Sequence, residues 1–221
     1  LASALNMLDS GQSRALADPW LLNPAQVRPP AVPLDDDPVA PHRDADFKAW
    51  VGPFFMGPVN TRVVRRSAAL LGYGPDFHYQ EYLRFGSGAL AAATAVGVSA
   101  GMNASQAALR LAPVRALARR LAPAPGQGPS EASMNRGSFR CELVGHGARG
   151  AVARARVAAA GDPGNRATTV MVCEAALALA KDAGLLPDGQ RAGGVLTPAS
   201  GLGVVLEKRL RAAGMTVTVQ A

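Results

Sequence analysis

The stretch PVNTRVVRRSAALLGYGPDFHYQEYLRFGSG, residues 58–88, governs how the chain is read, because its hydrophobic period changes partway along. Pro58 suits the first turn of a helix. Val59, Val63 and Leu70 recur at helical spacing, and Arg62, Arg65 and Arg66 take the opposite side. A helix over residues 58–71 is expected, with its valines toward a core. From Phe77 the period becomes two: Phe77, Tyr79, Glu81, Leu83 and Phe85 alternate with His78, Gln80, Tyr82 and Arg84, so residues 77–85 read as a strand. That strand puts the Glu81 carboxylate on a mostly aromatic face. It must lie at a strand end in water or be paired, because an unpaired buried charge is strongly unfavourable.

On the N-terminal side, Trp50, Val51, Phe54 and Phe55 surround Gly52-Pro53, which suggests an irregular or edge strand. Before it, the run ADPWLLNP (residues 17–24) and the prolines up to Pro41 sustain neither helix nor central strand. Asp35, Asp36 and Asp37 in that loop read most simply as a solvated turn and only weakly as a metal site. The chain starts at Leu1, without an initiator Met, and runs into a helix-like pattern of Leu1, Leu5 and Leu8, as if cut from something longer.

On the C-terminal side, residues 88–102 are small and apolar. A buried helix is favoured over a membrane span, which wants about 20 predominantly apolar residues. Residues 111–121 place Arg115, Arg119 and Arg120 beside Leu111, Val114, Leu117 and Leu121, a pattern shared by surface helices and by basic helices that lie on membranes. Prolines and glycines from Pro123 to Pro129 then punctuate the chain. Phe139, Cys141 and Leu143 alternate with Arg140 and Glu142, a turn follows at Gly145-His146-Gly147 and Gly150, and residues 152–158 return with Arg154 and Arg156 on one face. A long helix to about Asp182 should bury Val170, Cys173, Leu177 and Ala180, with Gly184 ending it; Pro198 opens a last helix closing at Gly214, and Met215 to Val219 form a short strand.

Composition narrows the classes. Apolar residues make up 48% of the 221 but aromatics only 5%, so the core is built from Ala, Val and Leu. The net charge of +7 favours anionic partners without choosing among them. Nucleic acid is the weakest reading, since aromatics are not interleaved with the basic residues. Cys141 and Cys173 have no metal-ligand or C-x-x-C spacing and read as small buried apolar residues in a reducing compartment. His42, His78 and His146 are isolated, and no zinc site or other metal site is expected.

A nicotinamide cofactor needs a Gly-rich turn between strand and helix. Gly86-Ser87-Gly88 begins such a pattern, but residue 91 is Ala and no acidic residue follows within about 20 positions to hold a ribose. It reads as a strand-to-helix loop. The best constellation of chemical groups is Asn60, Arg62, Arg65 and Arg66 with Tyr79 and Glu81. Functionally, an arginine would grip a phosphate or carboxylate, Tyr79 would donate a proton and Glu81 would orient an arginine. Structurally, Glu81 and an arginine would form an internal ion pair, the reading favoured at this point.

Four runs, taken in order, resemble the saccharopine dehydrogenase-like oxidoreductases, the group that includes trans-acting enoyl reductases: ASALNMLDSGQSRALADPWLLNP (2–24), NTRVVRRSAALLGYG with FHYQEYLRFG (60–74 and 77–86), PAPGQGPSEASMNRGSFRCELVG (123–145) and AGGVLTPASGLGVVLEKRLRAAGMTVTV (192–219). The resemblance implies an α+β fold, a mixed sheet with helices packed against it, as the C-terminal substrate-side domain of a two-domain oxidoreductase. Residues 1–221 would be that domain, with 198–221 packing back toward a nucleotide-binding domain that precedes these motifs in the family. NAD(P) would bind through that other domain and not to this chain, which alone is expected to be inactive. The implied substrate is a small molecule or a lipid acyl group, and a homodimer is one implied state. The competing expectation is a non-catalytic lipid-surface or protein-interaction module, with peripheral membrane contact through residues 88–121. The expected location is cytoplasmic, with a position peripheral to a membrane or lipid surface as the alternative.

Overall fold

The computed structural model describes residue 15 and residues 17–29, 32–122, 127–187 and 193–220, so the helix expected at the N-terminus lies outside the described residues. The chain divides into two compact units, residues 1–124 and 125–221. The α+β class holds. The strands, however, form two separate three-stranded antiparallel sheets, not one mixed sheet. Within each sheet, neighbouring strands run antiparallel.

In the first unit, β1 (His42–Asp44), β2 (Ala49–Pro53) and β3 (Tyr82–Gly86) lie in that order, so β2 is the central strand and not an edge. Pro53 is tolerated because it ends the strand, and the register shifts between Trp50 and Val51, which keeps the expected irregularity. Gly52 is required by close approach: a Cβ there would stand 2.8 Å from Ser99 Oγ and 3.2 Å from Phe85 Cε2. Ser99 belongs to α2 (Ala89–Ala108), which packs on β2 and β3 through Ala91, Ala95 and Ser99, the small residues that permit the contact. Only that edge of α2 is buried; Leu90 is 83% exposed, so the helix is not enclosed as expected. α3 (Ala112–Leu121) follows and buries no residue.

α1 (Gly57–Leu71) lies where Pro58 placed it and ends at Gly72, whose φ of 69° closes the helix in the left-handed conformation. Its facing is the reverse of expectation. Arg62 and Arg65 are 3% and 0% exposed, while Val59 is 56% exposed. Residues 77–81 are not in the sheet either, because side-chain hydrogen bonds hold that extended segment instead of a ladder. Gln80 Nε2 donates to the Leu34 and Asp36 carbonyls at 2.9 and 2.6 Å.

In the second unit, α4 (Glu131–Arg136) leads into β4 (Ser138–His146) and β5 (Val152–Ala160), the expected hairpin, and β6 (Thr216–Gln220) pairs with β5. α5 (Arg166–Lys181) buries Ala167 and Ala178, a stripe rotated from the expected one, and it ends before Gly184. The rotation follows the packing partner: α5 meets α7 (Gly203–Ala212) through a cluster of Ala178, Leu202 and Val205 flanked by Ala175, Leu186 and Leu206. Cys173, off that stripe, is exposed, and so is Cys141. The expected last helix is broken into α6 (Pro198–Gly201) and α7 at Leu202-Gly203, where Gly203 has φ 51° and a Cβ would press within 3.0 Å of Pro187 Cγ. Thr197 and Ser200 form a capping box at the start of α6.

Candidate functional site

The first unit brings all six candidate residues to one region, in two layers. α1 is the common support, since Asn60, Arg62, Arg65 and Arg66 project from it toward loops on either side.

The first layer is structural. Arg65 Nη1 donates to the Pro19 carbonyl at 3.1 Å and Nη2 to the Tyr79 carbonyl at 2.9 Å; its guanidinium carbon lies 5.2 Å from the centre of the Trp20 ring. Asp35, fully buried, sits 3.9 Å from Arg65 Nη2 and accepts from His78 Nδ1 at 3.0 Å. Burial pushes the Arg65 guanidinium below its ordinary value, and the Asp35 carboxylate opposes that push. Arg62 pairs with Asp37 and donates from Nε to the Asp18 carbonyl at 3.3 Å. Arg66 donates to the Leu22 carbonyl. The arginines thus tie the proline-rich loop to α1 by hydrogen-bonding carbonyls that no ladder could satisfy. The acidic run, read from sequence as a solvated turn, supplies their counter-charges.

The second layer is the smaller cluster beside it. Glu81 accepts from Asn60 Nδ2 at 2.8 Å through Oε2 and from the Tyr79 hydroxyl at 2.9 Å through Oε1. All three side chains are half-buried. An amide and a phenol therefore hold the carboxylate where an arginine was expected. Donors on both oxygens hold the carboxylate in place, and the single proton of the phenol points at its Oε1. Chemically the cluster is a phenol–carboxylate pair steadied by an amide, able to present a hydroxyl to a reacting group.

Asp35 is what sequence reasoning missed. The available signal was the presence of buried-type arginines needing partners, but the 29 residues between Asp35 and Arg65 hide the pairing. Among the described residues, no group of three or more His, Cys, Asp or Glu side chains could hold a metal ion. Gly86-Ser87-Gly88 does form the loop between β3 and α2, with φ of 98° and 94° at its glycines, but position 91 is Ala and no acidic residue follows within about 20 positions.

These features define an α+β chain with a hydrogen-bonded phenol–carboxylate–amide cluster beside a buried ionic belt. Its sequence is 40% identical, over 98% of its length, to a Mycobacterium tuberculosis protein provisionally named a trans-acting enoyl reductase, of which it covers 54%. It is 38% identical to the trans-acting enoyl reductase of Mycobacterium ulcerans over 76% of this chain and 41% of that protein, and 34% identical to that of Mycobacterium bovis over 95% and 51%. The chain is thus a homologue of the trans-acting enoyl reductases, and it spans about half the length of the curated relatives it matches. No family model matches the sequence. No solved structure matches it either.

Proposed function

We propose that this chain supplies the substrate side of an enoyl reduction, in which a hydride adds to one carbon of a conjugated C=C bond and a proton to the other. The observation that carries the proposal is the 40% identity, sustained along 98% of the chain, to a protein provisionally named for that reaction. NAD(P)H, bound by residues outside this chain, would supply the hydride. The chain's own part is protonation: the Tyr79 hydroxyl turns from Glu81 to give its proton to the α-carbon and is re-protonated from water, while Glu81, held by Asn60, keeps the phenol in place between turnovers. Arg62 and Arg65 are positioning residues in this account. Their guanidinium groups carry the loop and the Tyr79 backbone, and do not grip substrate.

The test uses a chimera in which this chain replaces the matching half of the Mycobacterium tuberculosis relative. The chimera is expected to bind NADPH or NADH and to reduce an enoyl thioester, while the 221-residue chain alone binds neither cofactor. Tyr79→Phe in the chimera should lower kcat by about 100-fold or more with little change in cofactor affinity. Saturable cofactor binding by this chain alone, or full turnover in the Tyr79→Phe chimera, would overturn the corresponding part.

A second reading is favoured by the surface of residues 88–121, where Leu90, Leu111, Leu117 and Leu121 are all exposed. That segment would rest on an anionic lipid surface. No described helix is long and apolar enough to cross a membrane. Arg115 takes little part in this reading, because its Nη1 caps the preceding helix at the Leu109 and Arg110 carbonyls, at 3.1 and 2.7 Å. Sedimentation with anionic vesicles at low salt should therefore weaken for Arg120→Ala and hold for Arg115→Ala. Equal loss in both variants, or no sedimentation at all, would remove the reading.

A further inference from the structure

Among the described residues β4 is the outermost strand of its sheet, nine residues long and bonded to β5 on one side. The register shows which backbone groups face outward. Gly147 N–H donates to the Ala151 carbonyl and Gly161 N–H to the Gly137 carbonyl, so odd-numbered residues exchange hydrogen bonds with β5. The N–H and C=O groups of Ser138, Arg140, Glu142 and Val144 therefore point away from the sheet. A long strand with this outer edge is a template for another strand, and proteins usually blunt it with a bulge, a proline or inward charge. The register of β4 with β5 runs without a break and β4 contains no proline.

The sequence along that edge is self-complementary. In Phe139-Arg140-Cys141-Glu142-Leu143, a two-fold axis at Cys141 sets Arg140 against Glu142 of a second copy and Glu142 against Arg140. Phe139 and Leu143 meet in the same way on the other face. The backbone phase agrees, because the outward-pointing residues 140 and 142 become the hydrogen-bonded pairs and Cys141 the non-hydrogen-bonded pair between them. Shifting the register by one hydrogen-bonded step either way, to an axis at residue 140 or 142, puts Arg140 opposite Arg140 or Glu142 opposite Glu142 instead. In the single chain the Glu142 carboxylate is ion-paired with Arg140 Nε at 3.6 Å and accepts from Arg156 Nη2 at 3.4 Å, and pairing adds a further cation to the same carboxylate.

The geometry points to β4 as a homodimer interface, in which two copies of this chain pair antiparallel through the edge centred on Cys141 and join their two three-stranded sheets into one. The partner is a second copy because the charges, the apolar residues and the backbone phase complement their own image at one register.

Light scattering on the purified 221-residue chain should give the mass of a dimer. Arg140→Glu places a carboxylate opposite Glu142 at both ends of the pairing and should raise the dissociation constant at least about tenfold; Glu142→Arg should do the same with two opposed guanidinium groups. Mixing the two variants restores attraction between opposite charges, so a mixed dimer should form where neither variant pairs with itself. Circular dichroism of each variant separates loss of pairing from loss of fold. Cys141 gives an independent readout: α-carbons in a non-hydrogen-bonded pair lie about 4.5 Å apart, within the range of about 4.4–6.8 Å that a disulfide spans. Diamide, which accepts the two thiol protons and two electrons, should link Cys173→Ser chains into covalent dimers and leave Cys141→Ser chains unlinked. A monomeric chain that diamide does not link, or a dimer indifferent to Arg140→Glu, overturns the assignment.

Discussion

The two units of this chain solve the problem of a small-residue core in opposite ways. Among the described residues, the first unit buries Asn23, Asp35, Thr61, Arg62, Arg65, Ser67 and Ser99 beside its few apolar residues, whereas the second buries Thr197 alone among polar side chains. In the second, Ala178, Leu202 and Val205 hold α5 against α7 by contact. In the first, long arginines reach across space that Ala and Val cannot fill, and they satisfy the carbonyls of a loop that proline has removed from any ladder. An ionic belt of this kind is costly to desolvate, and its worth depends on every partner being present. The first unit should therefore fail abruptly when one partner is removed, and the second should yield in proportion to the volume lost.

The sharpest way to break this contrast is Arg65→Ala. It leaves Asp35 buried without its guanidinium and the Pro19 and Tyr79 carbonyls without their donor, so a loss of about 3–5 kcal/mol is expected. Both tryptophans, Trp20 and Trp50, lie in the first unit, so their fluorescence in a urea titration follows that unit. Arg65→Lys should recover little, since an ammonium cannot bridge two carbonyls in a fixed fork. In the second unit, Leu202→Ala opens a cavity in the apolar cluster and should cost about 2–4 kcal/mol, read by circular dichroism with the tryptophan transition unmoved. A tryptophan midpoint that shifts equally for both variants would show that the units unfold together and that the comparison does not divide the molecule.

What the residues revealed and concealed divides along the same line. Local signals were sufficient for α1 between Pro58 and Gly72, for the β4–β5 hairpin around Gly145 and Gly150, and for the loop at Gly86-Ser87-Gly88. Each depends on neighbours a few residues away. The facing of α1 was not legible, because helical spacing says which residues share a side and not which side is buried. Arg62 and Arg65 are buried only because Asp37, Asp35 and the carbonyls near Asp18 arrive from far along the sequence. The grouping of Asn60, Tyr79 and Glu81 was legible, but the expected arginine partner of Glu81 was replaced by an amide and a phenol. The stripe of α5 failed for a different reason: in an alanine-rich helix almost any face looks apolar, and Leu202 and Val205 select one.

Glycine substitutions sharpen the comparison at a smaller scale. Gly52→Ala would drive a methyl against Ser99 Oγ, the end of a side chain that α2 holds buried; a loss of about 1–3 kcal/mol is expected, partly recovered in Gly52→Ala/Ser99→Ala. Gly137→Ala in the second unit meets the Asp162 backbone at 2.7 Å, where nothing flexible can yield, so removing the Asp162 side chain should recover none of the loss. Rescue in the first case and none in the second, by urea titration, distinguishes packing against a side chain from packing against backbone.

The smallest effect concerns Asp162 itself. Its carboxylate accepts the Arg166 and Asn165 backbone N–H groups, each at 3.0 Å, and Asn165 Nδ2 at 2.9 Å, at the start of α5. The Arg166 N–H, followed by the Asn165 side chain, holds the acid below its ordinary range. A depressed folded value means that the native state releases this proton more readily than the unfolded chain. The contribution is thus present above the unfolded aspartate value of about 3.9 and is lost as pH falls through the lower folded one. Asp162→Asn removes the ionisable group, so the chain should lose a little stability at neutral pH and none at pH well below the folded value, where the wild-type acid is protonated too. Circular dichroism at the two extremes measures the difference directly. A wild-type advantage that persists into strong acid would mean that Asp162 acts through the shape of its hydrogen bonds at the helix start and not through its charge.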